Sequence, residues 1–265
     1  LLLIHGFPTA SWDWHYLWQP LAQRNLVIAC DMLGFGDSAK PLNHDYCLLE
    51  QADLQQALLE HLRVERPVHV LAHDYGDSVA QELLARHYDG RFLMASCVFL
   101  NGGLFPETHR PALVQKLLLS PLGWMIGRAF GRNALSNSFS QIFGPNTRPS
   151  ESALDDFWSL INCNDGPRIL HKLIAYIPQR RRLRERWVAV MQRNEVPLRV
   201  IDGEVDPISG AHMVERYRQL VPNADSVLLT NIGHYPQIEA PVLVLKHYLA
   251  FRERIGQPAP RVAYS

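Results

Sequence analysis

Three residues spaced far apart in the chain could together do covalent hydrolysis: Asp74, Asp206 and His234. Asp74 ends the run Val70-Leu71-Ala72-His73-Asp74, where an uncharged β-branched segment meets a tight turn and then an amphipathic helical pattern from about Asp77 to His87. A strand, a sharp elbow and a helix is the arrangement that presents a nucleophile on a strained turn. Such a turn needs small residues two before and two after the nucleophile, and Ala72 and Gly76 meet that need. A carboxylate, with an unperturbed pKa near 3.9, is ionised at neutral pH and can attack an sp3 carbon without a base. The product is an alkyl ester of Asp74, which water can cleave, whereas a serine there would give an inert ether. His234, as neutral imidazole, would take the proton of the attacking water. Asp206 would hold the imidazole tautomer, with Asp202 four positions upstream as the fallback.

The elements that must carry these residues read as alternating strands and helices. Strand-like runs fall at Leu1 to Ile4, Leu26 to Cys30, Val68 to Ala72, Ala95 to Leu100, Leu198 to Ile201 and Ser226 to Leu229. Helical patterns fall near Trp12 to Gln23, Leu48 to Arg63, Asp77 to His87, Ala211 to Leu220 and Pro236 to Glu253. This alternation predicts an α/β fold, a mostly parallel sheet flanked by helices on both faces. From Gly102 to about Pro197 strand signals cease, and helical patterns such as Ser150 to Asn162 and Arg168 to Arg193 take over, with a break at Asp165-Gly166-Pro167. The expected organisation is a core over 1–102 and 197–255, a helical cap over 103–196 and a loose tail over 256–265.

The 265 residues are 47% hydrophobic, enough for one large core. Lys plus Arg equal Asp plus Glu at 26 each, so no overall charge favours nucleic acid as a partner. Cys30, Cys47, Cys97 and Cys163 have neither paired nor metal-ligand spacing, so reduced thiols, no metal, no cofactor and a cytoplasmic location are expected. No apolar run reaches the roughly eighteen residues of a membrane span. The chain opens at Leu1 directly on a strand and His5-Gly6, from which we expect strands upstream of this sequence.

Five motifs follow strands in a fixed order: His5-Gly6-Phe7-Pro8, Asp31-Met32-Leu33-Gly34-Phe35-Gly36, the elbow at Asp74, Asp202 to Pro207, and Asn231 to Pro236. Together they resemble the α/β-hydrolase fold, and the aspartate at the elbow resembles its epoxide hydrolase and haloalkane dehalogenase branch. Asn101 to Pro111, Phe143 to Glu151 and His73 to Asp77 further resemble the mesoderm-specific transcript family and its bacterial relatives. The resemblance implies an oxyanion hole from the backbone N–H groups of Phe7 and Tyr75. Haloalkane dehalogenases generally have a tryptophan after the nucleophile, where this chain has Tyr75. Epoxide hydrolases usually have a phenylalanine after His-Gly, as Phe7 is here, and protonate the epoxide oxygen with cap tyrosines. Tyr176, alone between Asn101 and Pro197, is the candidate cap acid.

The function expected is therefore hydrolysis of a small lipophilic epoxide by water through an Asp74 ester. The alternatives are carbon–halogen cleavage by the same ester and a non-catalytic scaffold that captures a ligand. His5 and His73 flank the elbow without a metal-ligand spacing and read as structural hydrogen-bonding groups. Arg180, Arg181, Arg182, Arg184 and Arg186 read as a solvated helix face with Arg181 paired to Glu185. Trp124, Trp158 and Trp187 read as filling the cap's apolar face. The apolar stretch Leu113 to Phe130 reads first as cap packing and second as a surface for peripheral membrane contact.

Overall fold

A computed structural model describes residues 1–256. Six strands, β1 (Leu2–Ile4), β2 (Ile28–Ala29), β3 (Val68–His73), β4 (Met94–Leu100), β5 (Leu198–Gly203) and β6 (Ser226–Leu229), form one sheet in the order β2-β1-β3-β4-β5-β6. Every neighbouring pair is parallel. A parallel sheet is covered on both sides, which is why β3 and β5 are buried along almost their whole length instead of alternating.

The helices are α1 (His15–Ala22), α2 (Leu48–His61), α3 (Tyr75–Tyr88), α4 (Leu113–Leu118), α5 (Gly123–Ala129), α6 (Arg132–Ile142), α7 (Glu151–Asn162), α8 (Leu170–Leu173), α9 (Tyr176–Arg193), α10 (Ala211–Leu220), α11 (Pro236–Glu239) and α12 (Pro241–Gly256). Alternate strand residues serve opposite faces. Leu3, Leu71, Val98 and Ile201 pack with Leu17 and Leu21 of α1 and Val244, Tyr248 and Phe251 of α12. Leu2, Ile4, Val70 and Ala72 pack with Leu48 and Ala52 of α2, Val79 and Leu83 of α3, and Val214 of α10. Between β4 and β5 the described chain holds helices and no strand, as the sequence suggested.

Two helices expected as continuous are divided, each by a proline. Pro178 lies in the first turn of α9, where its missing N–H costs nothing; a helix running through from Arg168 would have placed it in the interior. Pro241 likewise opens α12 after the short α11. At the predicted break, Asn164 and Asp165 take left-handed backbone angles, φ 50 and 63°. The stretch α9 packs lengthwise on α3, with Gln81 reaching Met191 and Trp187 donating to Glu82. The expected loose tail lies, from residue 257 on, outside the described residues. No described helix is long and apolar enough to cross a membrane.

Candidate active site

Asp74 sits between β3 and α3 with φ 46°, in the left-handed region that costs a non-glycine residue strain. The strain is held by close packing beneath the turn: a Cβ on Gly76 would lie 2.4 Å from the Ile4 carbonyl oxygen and 2.7 Å from that of His5. Gly76 is therefore the residue that lets the elbow sit on β1. Helix α3 starts at Tyr75, two residues earlier than its apolar pattern suggests, because Asp74 itself occupies the N-cap position. Its carboxylate makes no capping bond, so it is left to project out of the turn.

The three residues singled out by type come together. His234 Nδ1 lies 2.7 Å from Asp206 Oδ2, and its Nε2 lies 4.0 Å from Asp74 Oδ2. Phe7 N–H donates to Asp74 Oδ2 at 3.2 Å. Tyr75 is the first residue of α3, and its N–H is one of those with no carbonyl partner inside a helix. Asp202, the fallback acid, instead accepts from Asn101 N–H at 2.7 Å.

Asp206 is heavily supported. Oδ1 accepts from Ile208 N–H, and Oδ2 accepts from Asn101 Nδ2, Ser209 N–H and the Ser209 hydroxyl as well as facing His234. Asn101, whose own φ is 42°, also exchanges bonds with Gly203, so it ties the ends of β4 and β5 together. The His234 loop is fixed by Glu239, which accepts N–H groups from Gly233, Tyr235 and Gly144. His234 N–H donates to Ile142 O at the end of α6. His234 and the overlying helix are thus mechanically joined.

The largest departure from the sequence reading is Arg180. It is 1% exposed, not part of a solvated face. Nη2 donates to the Asp74 carbonyl at 2.7 Å and reaches Asp74 Oδ1 at 3.4 Å, while Nε donates to Ser78 Oγ at 2.6 Å. Arg184 forms a two-pronged pair with Glu107, and Arg186 bridges Glu82 and Asp89, while Arg181 and Arg182 are exposed as the solvated-face reading expected. No Arg181–Glu185 pair forms among the described residues. One signal was available. Tyr176, Ile177, Arg180, Leu183, Trp187 and Met191 fall on one apolar stripe at helical spacing, and a cation inside such a stripe needs a buried anion.

Burial separates the carboxyl groups of this region. For Asp74, burial works against ionisation, but His234, then Arg180, overcome it and hold the pKa below the ordinary value. Burial opposes Asp206 too, and the charge and hydrogen bond of His234 bring it below its usual range. Asp77 and Asp202 are pushed well above theirs, first by burial and then by neighbouring carboxylates for Asp77. The environment thus favours the anion at Asp74 and Asp206 and the protonated form at Asp77 and Asp202. Burial alone would lower His234; Asp206, by charge and hydrogen bond, and then Asp74 raise it to about 9. In the free protein at neutral pH it is an imidazolium between two carboxylates, not the neutral imidazole that hydrolysis requires.

Tyr176 is fully buried beside the elbow, its ring under the Arg180 guanidinium at 4.4 Å and against Tyr75 and Phe7. Gln115 Nε2 donates to the Tyr176 oxygen at 3.3 Å, and Gln115 Oε1 is fixed by Ala112 N–H. The phenol oxygen thus accepts, and its own proton stays uncommitted. Tyr176 stands behind the wall of the cavity, in contact with the wall residues Gln115 and Phe7. His5 bonds Gly6 O and Met32 N–H, and His73 bonds His234 O, which makes both structural. No group of metal-ligating side chains occurs among the described residues, and the four cysteines are free.

Above Asp74 and His234 lies a cavity of about 270 Å³. Leu118, Phe130, Leu135, Phe139 and Leu170 are among its apolar wall residues, and Gln115, Asn137, Ser138 and Gln141 add polar groups. It suits a small lipophilic molecule with one or two polar atoms.

The alpha/beta hydrolase fold family matches residues 1–241. The chain is 44% identical over 263 residues to the mesoderm-specific transcript protein of Mus musculus, covering 95% of this chain and 78% of that one. It is 40% identical over 243 residues to LipZ of Mycobacterium tuberculosis, covering 91% and 84%. Among solved structures, the haloalkane dehalogenase DatA from Agrobacterium tumefaciens C58 superposes with a TM-score of 0.81 at 18% identity, covering 96% of this chain and 89% of that one. The epoxide hydrolase CorEH does so with 0.76 at 21%, covering 96% and 91%. The parallel sheet, the elbow after β3 and the family match over nearly the whole chain agree: this protein belongs to the alpha/beta hydrolase fold family.

Proposed function

We propose that the protein hydrolyses a small lipophilic epoxide through a covalent ester on Asp74. The observation that carries this reading is a carboxylate at the elbow, with a backbone donor on Oδ2 and His234 Nε2 4.0 Å away. Asp74 Oδ1 attacks an epoxide carbon, and the carbon–oxygen bond on its far side breaks. In the cavity the departing oxygen meets Gln115 as a polar wall group, with Tyr176 behind it. Burial and then Asp74 raise the Tyr176 pKa, so it acts as the acid only where Gln115 and Phe7 part to let that oxygen reach its phenol. Gln115 and the Arg180 cation stabilise the phenolate left behind.

Alkylation also neutralises Asp74 and so removes one of the charges that keep His234 protonated. The imidazolium can then lose its proton, which returns to the Tyr176 phenolate by way of a water in the cavity, and the neutral imidazole becomes the base. Water adds to the Asp74 carbonyl as His234 takes its proton, and the oxyanion on Oδ2 is met by the Phe7 and Tyr75 N–H groups. Collapse releases the diol and restores both Asp74 and the imidazolium. The net reaction is epoxide plus water to diol.

Halide departure is less well served. The Tyr75 side chain packs against Phe35 and Tyr176 instead of facing the cavity, so position 75 offers no side-chain donor to a halide. Ester hydrolysis, suggested by the name Lipase 1 of a 24% identical relative from Psychrobacter immobilis, is disfavoured because a carboxylate attacking an ester carbonyl yields an anhydride.

The test is one turnover of a terminal aryl epoxide in heavy-oxygen water. Label is expected in the Asp74 carboxylate, and an unlabelled carboxylate after diol formation refutes the covalent route. His234→Gln should accumulate the ester, read as a gain in intact mass equal to the epoxide.

A further inference from the structure

Helix α5 is built inside out. The residues it turns inward are Gly123 and Gly127; a Cβ on the first would lie 1.9 Å from Leu118 O and on the second 2.7 Å from Pro167 O. The residues it turns outward are Trp124 and Met125, 48% and 50% exposed. A surface helix ordinarily does the reverse. With Leu113 at 70%, Leu122 at 59%, and Leu117 and Leu119 also exposed, six large apolar side chains within thirteen residues face outward. This corrects the reading of the stretch, and of Trp124, as cap packing.

Two further observations identify what covers this patch. It is continuous with the cavity, because Leu113 and Leu117 belong to both the patch and the cavity wall above Asp74. It also lies in a stretch, residues 108–150, without a single Asp or Glu, whereas Arg110, Lys116, Arg128, Arg132 and Arg148 lie within it. Arg132 is paired with Glu151 and Asp155, whereas Lys116 and Arg128 have no carboxylate partner among the described residues, so the cationic charge of the patch itself rests on these two. Lys116 and Arg128 are exposed among the apolar residues, and the Arg128 guanidinium lies 5.6 Å from the Trp124 ring.

We propose that the α4–α5 surface docks on an anionic phospholipid bilayer, with Leu122, Trp124 and Met125 entering the headgroup region and Lys116 and Arg128 held against lipid phosphates. Docking brings the cavity mouth to the lipid, so an apolar substrate dissolved in the bilayer reaches Asp74 without crossing water. The docking itself does not depend on the chemistry at Asp74.

The experiment is sedimentation of the purified chain with vesicles of phosphatidylglycerol or of phosphatidylcholine, at low and at high salt. Binding is expected to phosphatidylglycerol, to weaken with salt, and to be slight with phosphatidylcholine. Leu122→Ser/Trp124→Ser/Met125→Ser, none of them cavity residues, should weaken binding about tenfold or more. Lys116→Glu/Arg128→Glu should weaken binding to phosphatidylglycerol at least about fivefold per charge. Unchanged far-ultraviolet circular dichroism and urea midpoint identify a folded variant, and Leu122→Ser alone serves if the triple variant unfolds. No binding to phosphatidylglycerol at low salt, or binding indifferent to these substitutions, overturns the proposal. So does sedimentation equilibrium showing a dimer that the apolar variant dissociates while vesicles are not bound.

Discussion

Arg180→Met removes a buried cation and leaves an unbranched side chain of similar reach. The guanidinium lies 3.4 Å from Asp74 Oδ1, where two unit charges at an effective dielectric of about 20 attract by about 5 kcal/mol. Breaking a buried pair typically costs about 3–5 kcal/mol, and the lower end applies here because His234 still faces Asp74. Arg180 also bonds the Asp74 carbonyl and Ser78 Oγ, worth about 1 kcal/mol each and independent of the carboxylate's charge. A double-mutant cycle with Asp74→Asn separates the two contributions, since the amide keeps the backbone carbonyl and loses the charge. Urea unfolding of the four proteins should give a coupling energy of about 2–4 kcal/mol. Rapid-mixing measurement of alkylation should show Arg180→Met slowed as well, because Asp74 then holds a proton more of the time. A coupling below about 0.5 kcal/mol would show that Arg180 acts by packing and backbone bonding alone, and would refute the claim that it sustains the Asp74 anion.

The His234 ion pair predicts a pH dependence of stability. Its pKa rises from an ordinary 6.5 to about 9 on folding, so its contribution is complete below pH 6.5 and is lost as pH climbs through about 9. The urea midpoint should fall over that window and fall less in Asp74→Asn; a midpoint that stays level contradicts the pairing. Gly76→Ala should cost about 3 kcal/mol or prevent folding, because its Cβ meets two backbone carbonyls that cannot move aside; thermal unfolding reads this directly. Tyr176→Phe and Gln115→Leu should slow single-turnover ring opening by about tenfold or more while leaving decay of the preformed ester within about twofold. Equal slowing of both steps would place these residues in the general architecture of the site.

What could be read from the sequence follows from short-range rules. Strand, elbow and helix around Asp74 were legible because β-branched residues, small flanking residues and helical periodicity act within a few positions. The same holds for the turns that carry Asp206 and His234. Two helix boundaries were not read, because the pattern of apolar residues runs through Pro178 and Pro241; each ring lies in a first turn, and that decides where the helix begins.

By itself, then, the sequence determined the layered α/β order and the approach of an aspartate, a second aspartate and a histidine to one end of the sheet, since side-chain alternation and turn chemistry leave few other solutions. Tertiary structure alone decided that Arg180, taken as a solvent-facing member of a basic run, is buried against Asp74, and that Asn101 anchors Asp206. It also decided that Leu113, Leu117, Leu119, Leu122, Trp124 and Met125 face outward. Charge and apolarity are properties of a residue, but burial is a property of what packs over it. Where α9 lies along α3, a cation is pressed onto an anion; where α5 packs through glycine, its large side chains have nowhere to go but out.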